Sequence, residues 1–218
     1  MAKYSASETT KMKMINAAGE LAAEVGLDNV STRAVADRSG ENIGSIHYHF
    51  GGKDGLFEAV VREAMKDYMS KARESLMADL ASDPPDREAF SQMIRSIVAG
   101  EIDDMFRSGR APWHSQVIYQ LLQRDDALYE LFRTEHLDPS MDGMYRFFKL
   151  VDPAMTNEDA FLHAAVMKMP IFAHANYMKA MLKRLDVAAY SEEYLQKLED
   201  LLVSQTQWAL GLPLDKPA

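Results

Sequence analysis

Two short segments, TRAVADRS (32–39) and IGSIHYHF (43–50), are separated by only Gly40-Glu41-Asn42. No other feature of the chain restricts its fold so tightly. Ser31 or Thr32 can cap the first segment and Asn42 the second, while Gly40 and Gly51-Gly52 are stop signals, so both segments read as helices. Two helices on so short a joint match a helix-turn-helix, the arrangement in which the second helix enters a DNA major groove.

Turning each residue by about 100° separates the faces of the second helix. Ile46, His49 and Phe50 turn to a core, while Gly44, Ser45, His47 and Tyr48 turn away and Ile43 lies on the border. The H-x-H pair invites a metal-site reading. On a helix, however, His47 and His49 stand about 200° apart and cannot chelate one ion. Only a strand would bring them to one side, and the Asn42 cap and Gly-Gly break oppose a strand. No metal and no cofactor are expected. The outward face is small, so a partner's backbone can approach, and His47 and Tyr48 offer groups that reach phosphates or base edges. Arg33 and Lys53, each at the start of a helix, flank it with positive charge.

The rest of the chain is helical in pattern, and the fold class expected is all-α. Ile15, Ala18, Leu21, Ala22 and Val25 form a first stripe, stopped by Gly26. A long fourth helix carries Leu56, Phe57, Val60, Val61, Ala64 and Tyr68, and Pro84-Pro85 mark a loop after it. A fifth carries Phe90, Met93, Ile94, Ile97, Val98 and Ile102. Breaks are expected at 108–112, near Pro139 and at Asp152-Pro153. Residues 157–185 read as one long helix kinked by Pro170. A last helix over 191–210 shows Tyr194, Leu198, Leu201, Gln205 and Trp208.

The chain has no cysteine, which excludes disulfides, thiolate nucleophiles and cysteine metal sites. Its start, MAKYSASETTKMKM, lacks the apolar core of a signal peptide, and no uncharged run reaches the roughly 18 apolar residues of a membrane span. A cytoplasmic location and no membrane partner are therefore expected. The net charge of −9 argues against nucleic acid only until it is mapped. Residues 1–53 hold six bases and six acids, so the whole excess lies beyond them. An acidic body would favour docking on DNA through the N-terminal end only.

Residues 11–61, KMKMINAAGELAAEVGLDNVSTRAVADRSGENIGSIHYHFGGKDGLFEAVV, resemble the N-terminal DNA-binding domain of the TetR family of transcriptional regulators. The matching pieces are AAGELAAEVGLDNVST, RAVADRSG and IGSIHYHFGGKDGLFEAV, about a quarter of the chain, and the turn SGENIGSIHYHFGGKD looks more like the CecR-like branch. The resemblance implies a helix-turn-helix domain at 1–54 and a larger helical effector-binding and dimerisation domain at 55–218. It also implies that Thr32, Arg33, Ser45, Tyr48 and Lys53 contact DNA, mostly at phosphates, with Asn42 and Gly44 against the groove. His47, which we add to this set, stands where the family has a tyrosine. Glu41 replaces a valine of the turn, and Ile43 occupies a position that is often polar.

By the same resemblance the chain is a dimer on operator DNA, most often a repressor, released by a small-molecule effector. Helix four, from Lys53 to the span 65–80, is the expected lever. Candidate effector residues are Trp113, His114, Tyr119, Tyr145, Phe148, His163, Met167 and His174, because each offers bulk or a polar tip. In 157–185 one face gathers His163, Val166, Met167, Pro170, His174, Tyr177 and Met181, and another gathers Phe161, Ala165, Met169, Phe172 and Asn176. A helix apolar on two faces needs two partners, and a second subunit can be one. Two other readings compete: a small all-α enzyme, and a helical interaction protein that has lost DNA binding. No H-E-x-x-H or G-x-S-x-G supports the first, and no catalytic residue is expected. The departures at Glu41, Ile43 and His47 leave the second open.

Overall fold

The computed structural model describes residues 2–66 and 86–214, with side chains from residue 7 onward. In chain order its helices are α1 (Ala2–Val25), α2 (Thr32–Ser39), α3 (Ile43–Phe50), α4 (Lys53–Met65), α5 (Arg87–Ile102), α6 (Trp113–Leu121), α7 (Ala127–Phe132), α8 (Asp138–Val151), α9 (Asn157–Asn176), α10 (Met178–Leu185) and α11 (Glu192–Ala209). A 3₁₀ turn follows α1 at Leu27–Asn29, and π-helical turns occupy Asp103–Arg107 and Arg133–Leu137. Among the described residues there is no strand. The far end of helix four with Tyr68, the span to Leu80 expected to act as a lever, and the Pro84-Pro85 loop lie outside the described residues.

The described helices pack as two compact units, residues 2–66 with 111–136, and residues 86–110 with 137–214. Helices α4, α6 and α7 pack with α1–α3 in the first unit. In the first unit Ala18, Ala22, Val35, Ile46, Leu56, Val60 and Val61 form the interior with Trp113, Val117 and Leu121. Gly19 lets α6 come close: a Cβ there would stand 2.4 Å from Trp113 Cδ2 and Cε3. Farther along α6, Gln120 Nε2 donates to Ala22 O and the Leu27 amide donates to Gln120 Oε1, each at 2.9 Å. That one side chain takes up the Leu27 amide where α1 gives way to the 3₁₀ turn, and adds a second bond to the Ala22 carbonyl, which also accepts from the Gly26 amide.

In the second unit, Phe90, Ile94, Ile97, Val98 and Ile102 are buried as their spacing predicts, against Phe147, Phe148, Met167, Ile171, Leu202 and Val203. Its buried carboxylates are paired: Glu199 takes Arg95 at 2.9 Å, and Glu101 takes Lys168 at 2.8 Å. Each pairing limits the penalty of holding charge out of water.

Several local expectations change. Residues 157–185 are two helices broken at Tyr177, and the helix runs through Pro170. His174 Nδ1 lies 2.7 Å from Pro170 O, and Asn176 Nδ2 donates to Phe172 O at 2.9 Å. Side chains thus bind carbonyls of the last turn, and α9 ends with no glycine or proline at the break. The buried line of α9 is Ala160, Ala164, Met167, Ile171 and Ala175, between the two faces expected. A further break separates α6 from α7 at 122–126, where Asp126 Oδ1 accepts from the Leu128 and Tyr129 amides. Near Pro139 there is a helix start and no interruption, because proline fits the first turn of α8. In α11 the buried face is Leu195, Leu198, Glu199, Leu202, Val203, Thr206 and Gln207, so Leu201, Gln205 and Trp208 face outward.

Candidate nucleic-acid interface

The expected caps fix the two short helices. Ser31 Oγ accepts from the Ala34 amide at 3.1 Å, and Asn42 Oδ1 accepts from the Gly44 amide at 2.8 Å. Gly40 and Gly51 close α2 and α3 at φ of 69° and 76°, a left-handed conformation that glycine adopts without a Cβ penalty. After α3 the chain turns directly into α4. A Cβ on Gly55 would stand 2.0 Å from Phe50 O, so the absence of a side chain there sets how close the two helices lie.

The faces of α3 follow the expected division except at Ser45. Ile46 is fully buried, and His49 and Phe50 are half-buried. Gly44 and His47 are exposed, and Tyr48 is 83% exposed, its ring edge-on to His49 at 4.8 Å. Ser45 is half-buried and Ile43 is exposed. His47 leans towards the glycine pair: a Cβ on Gly52 would lie 3.9 Å from its Nδ1. Asn42 is exposed, but its oxygen is committed to the cap. Thr32, at the start of α2, is half-buried, and its neighbour Arg33 is exposed.

Charge pairing sorts the bases of this region. Arg38 donates from Nη1 and Nη2 to Glu24 at 3.0 and 2.9 Å and also pairs with Glu20 at 3.5 Å. Those hydrogen bonds hold Glu24 below the usual carboxylate range and raise the guanidinium. Lys13 pairs with Glu41 at 3.1 Å, and Lys11 pairs with Glu8 at 3.0 Å. Glu41, a departure from the TetR pattern, thus takes up a base and leaves the turn in place. Arg33 and Lys53 have no carboxylate partner among the described residues. They are the two bases that sequence reasoning assigned to phosphate.

A cavity of about 710 Å³ opens in the same unit, lined by the 3₁₀ turn, the start of α4, and α7. Leu27, Phe57, Leu128 and Leu131 form its apolar wall, and Lys53 lies at its edge. The Lys53 ammonium sits 5.6 Å over the Phe57 ring and 3.5 Å from Asp28 O. Arg124, also lining the cavity, pairs with Asp28 at 2.9 Å and with Asp126. The Arg124 hydrogen bond, helped by the Tyr129 and Leu128 amides, holds Asp126 below the usual carboxylate range. None of the eight candidate effector residues lines this cavity. A mixed rim of carboxylates over an apolar wall has no periodic signature, so sequence reasoning missed it.

The eight candidates fall into both units. Trp113, His114 and Tyr119 belong to the first, where Trp113 is buried and stacks on His114 at 3.8 Å. Tyr145, Phe148, His163, Met167 and His174 belong to the second. There Phe148 and Met167 are core residues, and His163 packs its ring 5.6 Å from Phe148. Tyr145 is partly buried against that core. His174 joins a polar cluster. Its Nε2 lies 3.0 Å from Tyr194 Oη, Tyr190 Oη donates to its carbonyl at 3.2 Å, and the two tyrosine rings stack at 5.0 Å. A carbonyl can only accept, so Nδ1 donates to Pro170 O. Burial, and then the neighbouring Tyr194, push the Tyr190 hydroxyl up.

Residues 14–60 match the sequence profile of bacterial regulatory proteins, tetR family. Residues 14–60 thus form a TetR-family domain. Among curated relatives, the HTH-type transcriptional regulator BetI of Stenotrophomonas maltophilia is 28% identical over 111 residues, covering 51% of this chain and 53% of that protein. BetI of Burkholderia lata is 32% identical over 104 residues, covering 48% and 50%. The chain thus spans about half the length of the curated relatives it matches. A TetR-like transcriptional regulator from Rhodococcus sp. RHA1 shares the fold with a TM-score of 0.60 at 19% identity, over 93% of this chain and 96% of that one. The hemolysin II transcriptional regulator HlyIIR does so with a TM-score of 0.58 at 15% identity, over 96% and 99%. Among the described residues, no helix is long and apolar enough to cross a membrane.

Proposed function

We propose that this TetR-family chain is a dimeric, DNA-binding transcriptional regulator, acting as a repressor that a small-molecule effector releases from its operator. The observation that carries the reading is the exposed face of α3. Gly44, His47 and Tyr48 stand in solvent there, Thr32 and Ser45 are half-exposed, and Arg33 and Lys53 are without carboxylate partners among the described residues. Groups of these types position a protein on phosphates and read base edges. That matching relatives are named transcriptional regulators supports the same reading.

Dimerisation is supported by two helices of the second unit. On α9, Phe161, Leu162, Val166 and Met169 are exposed, and on α11 so are Leu201 and Trp208, the last at 76%. Apolar side chains gathered on two neighbouring helices suit an isologous contact with a second copy. A two-fold pair would then present two copies of α3 to successive major grooves, about 34–36 Å apart. For the effector we retain the eight candidate residues as the proposal. Their support is the ring pair Phe148–His163 and the hydrogen-bonded His174–Tyr194 pair in one unit, and the Trp113–His114 stack in the other.

A gel shift with the DNA upstream of the chain's own gene tests the reading. A sequence-specific, salt-sensitive complex is expected. Failure to form one, with folded protein, would refute DNA binding and favour the interaction-protein alternative.

A further inference from the structure

We infer that the cavity between the 3₁₀ turn, α4 and α7 is a binding site for an amphipathic organic cation, a protonated amine with an apolar body. We further infer that filling it strengthens DNA binding. The volume of about 710 Å³ is that of a small-molecule site. Leu27, Phe57, Leu128 and Leu131 offer the apolar wall. A cation is already held against that wall, because the Lys53 ammonium lies over the Phe57 ring.

The charges around the cavity favour another. Five carboxylates line it against two bases. Arg124 engages Asp28 and Asp126, and Arg133 engages Glu130 at 2.8 Å. Asp54 and Glu58, on the first turns of α4 beside Lys53, are exposed and have no cation partner among the described residues. An incoming ammonium therefore meets two uncompensated carboxylates and an aromatic face. An anion of the same shape meets repulsion.

The sign of the coupling follows from Lys53, which belongs to both sites. A ligand ammonium over Phe57 takes the place of the lysine and leaves it to reach a phosphate. Conversely, DNA that draws Lys53 out of the cavity vacates the aromatic face for the ligand. Each event makes the other easier, and the two free energies of assistance are equal. Neutralising Asp54 and Glu58 near the phosphates acts in the same direction. The coupling, though not the binding, rests on the DNA-binding reading.

Calorimetry on the full chain without DNA tests the site, with n-hexylammonium as probe and hexanoate as the anion of equal chain length. Saturable binding of one n-hexylammonium per chain is expected, with none for hexanoate. Glu58→Gln and Asp54→Asn, both exposed substitutions, should each weaken it by about threefold to fivefold. No saturation, an equal response to hexanoate, or indifference to both substitutions would overturn the site. Gel shifts then test the coupling: n-hexylammonium should tighten the operator complex by about threefold or more, and that of Lys53→Met by clearly less. Weakening of the wild-type complex, or the same tightening in Lys53→Met, would overturn it. If no operator complex forms at all, the DNA-binding reading fails, and the calorimetry judges the site alone.

Discussion

Replacing Gly19 by alanine sets two effects of known size against each other. In the interior of a helix, alanine is favoured over glycine by about 1 kcal/mol, so propensity alone predicts a more stable protein. The structure predicts the reverse. A Cβ at position 19 would stand 2.4 Å from Trp113 Cδ2 and Cε3 and 2.8 Å from Cε2. Carbon atoms pack at roughly 3.5–4.0 Å, so α1 and α6 must separate by about 1 Å or the indole must turn. Trp113 is 3% exposed and stacked on His114, and its ring has little room to turn. Overpacking of this kind costs about 1–3 kcal/mol, and a contact this short with a rigid ring belongs at the upper end. The net expectation is a loss of about 2 kcal/mol, or about 4–8 °C in melting temperature for a chain of this length. Urea unfolding followed by circular dichroism would measure it, with a double-mutant cycle through Trp113→Leu as control. With the indole gone, Gly19→Ala should become neutral or stabilising by up to about 1 kcal/mol. A stabilising Gly19→Ala in the wild-type background, or the same effect in both backgrounds, would refute the argument.

Gly55→Ala should displace α3 from α4, because the new Cβ would meet the Phe50 carbonyl at 2.0 Å; operator affinity in a gel shift should fall by about tenfold or more while the second unit keeps its helicity. Arg33→Ala should weaken binding on every DNA sequence and reduce the salt slope by about 0.9 per contact, or about 1.8 for a dimer; an unchanged slope would remove Arg33 from the interface. Leu201→Asp should yield monomers in analytical ultracentrifugation, since that side chain is exposed on α11 and makes no part of the core of its own unit. Asp126 has a depressed folded-state pKa, so its contribution to stability is present above the ordinary carboxylate range and is lost as pH falls through the folded value. Asp126→Asn keeps the helix cap, and its unfolding free energy should therefore fall less steeply than that of the wild type in acid below about pH 5.

What was legible in the sequence is what local chemistry controls. The caps Ser31 and Asn42, the stops Gly40 and Gly51 and the apolar stripe of α5 each act within a few residues, and each appears as expected. The faces of α3 were legible for the same reason, with Ile46 inside and Tyr48 outside. What escaped depends on contacts across the chain. Lys13 and Glu41 are 28 residues apart, so nothing near Glu41 announces its partner. Gln120 bonds backbone groups more than 90 residues earlier. Just before the break at Tyr177, His174 and Asn176 turn back onto carbonyls, a choice that residue type alone does not impose. In α11 the stripe through Leu201 and Trp208 was visible as apolar, but only packing shows which of two apolar faces the chain covers itself. The candidate cavity combines both failures, since its wall comes from three segments and its rim mixes charges.

The pairing of Lys11, Lys13 and Arg38 with Glu8, Glu41, Glu20 and Glu24 bears on where the protein spends its time in a cell. A chromosome offers a vast excess of irrelevant sites, and the hold of bulk DNA on a protein comes almost wholly from bases that face phosphates without a partner of their own. On the proposed reading, with three of its five described N-terminal bases already matched by acids, this chain would grip random sequence weakly. Few copies would be lost to the genome at large, and a modest number of molecules could keep a single operator occupied.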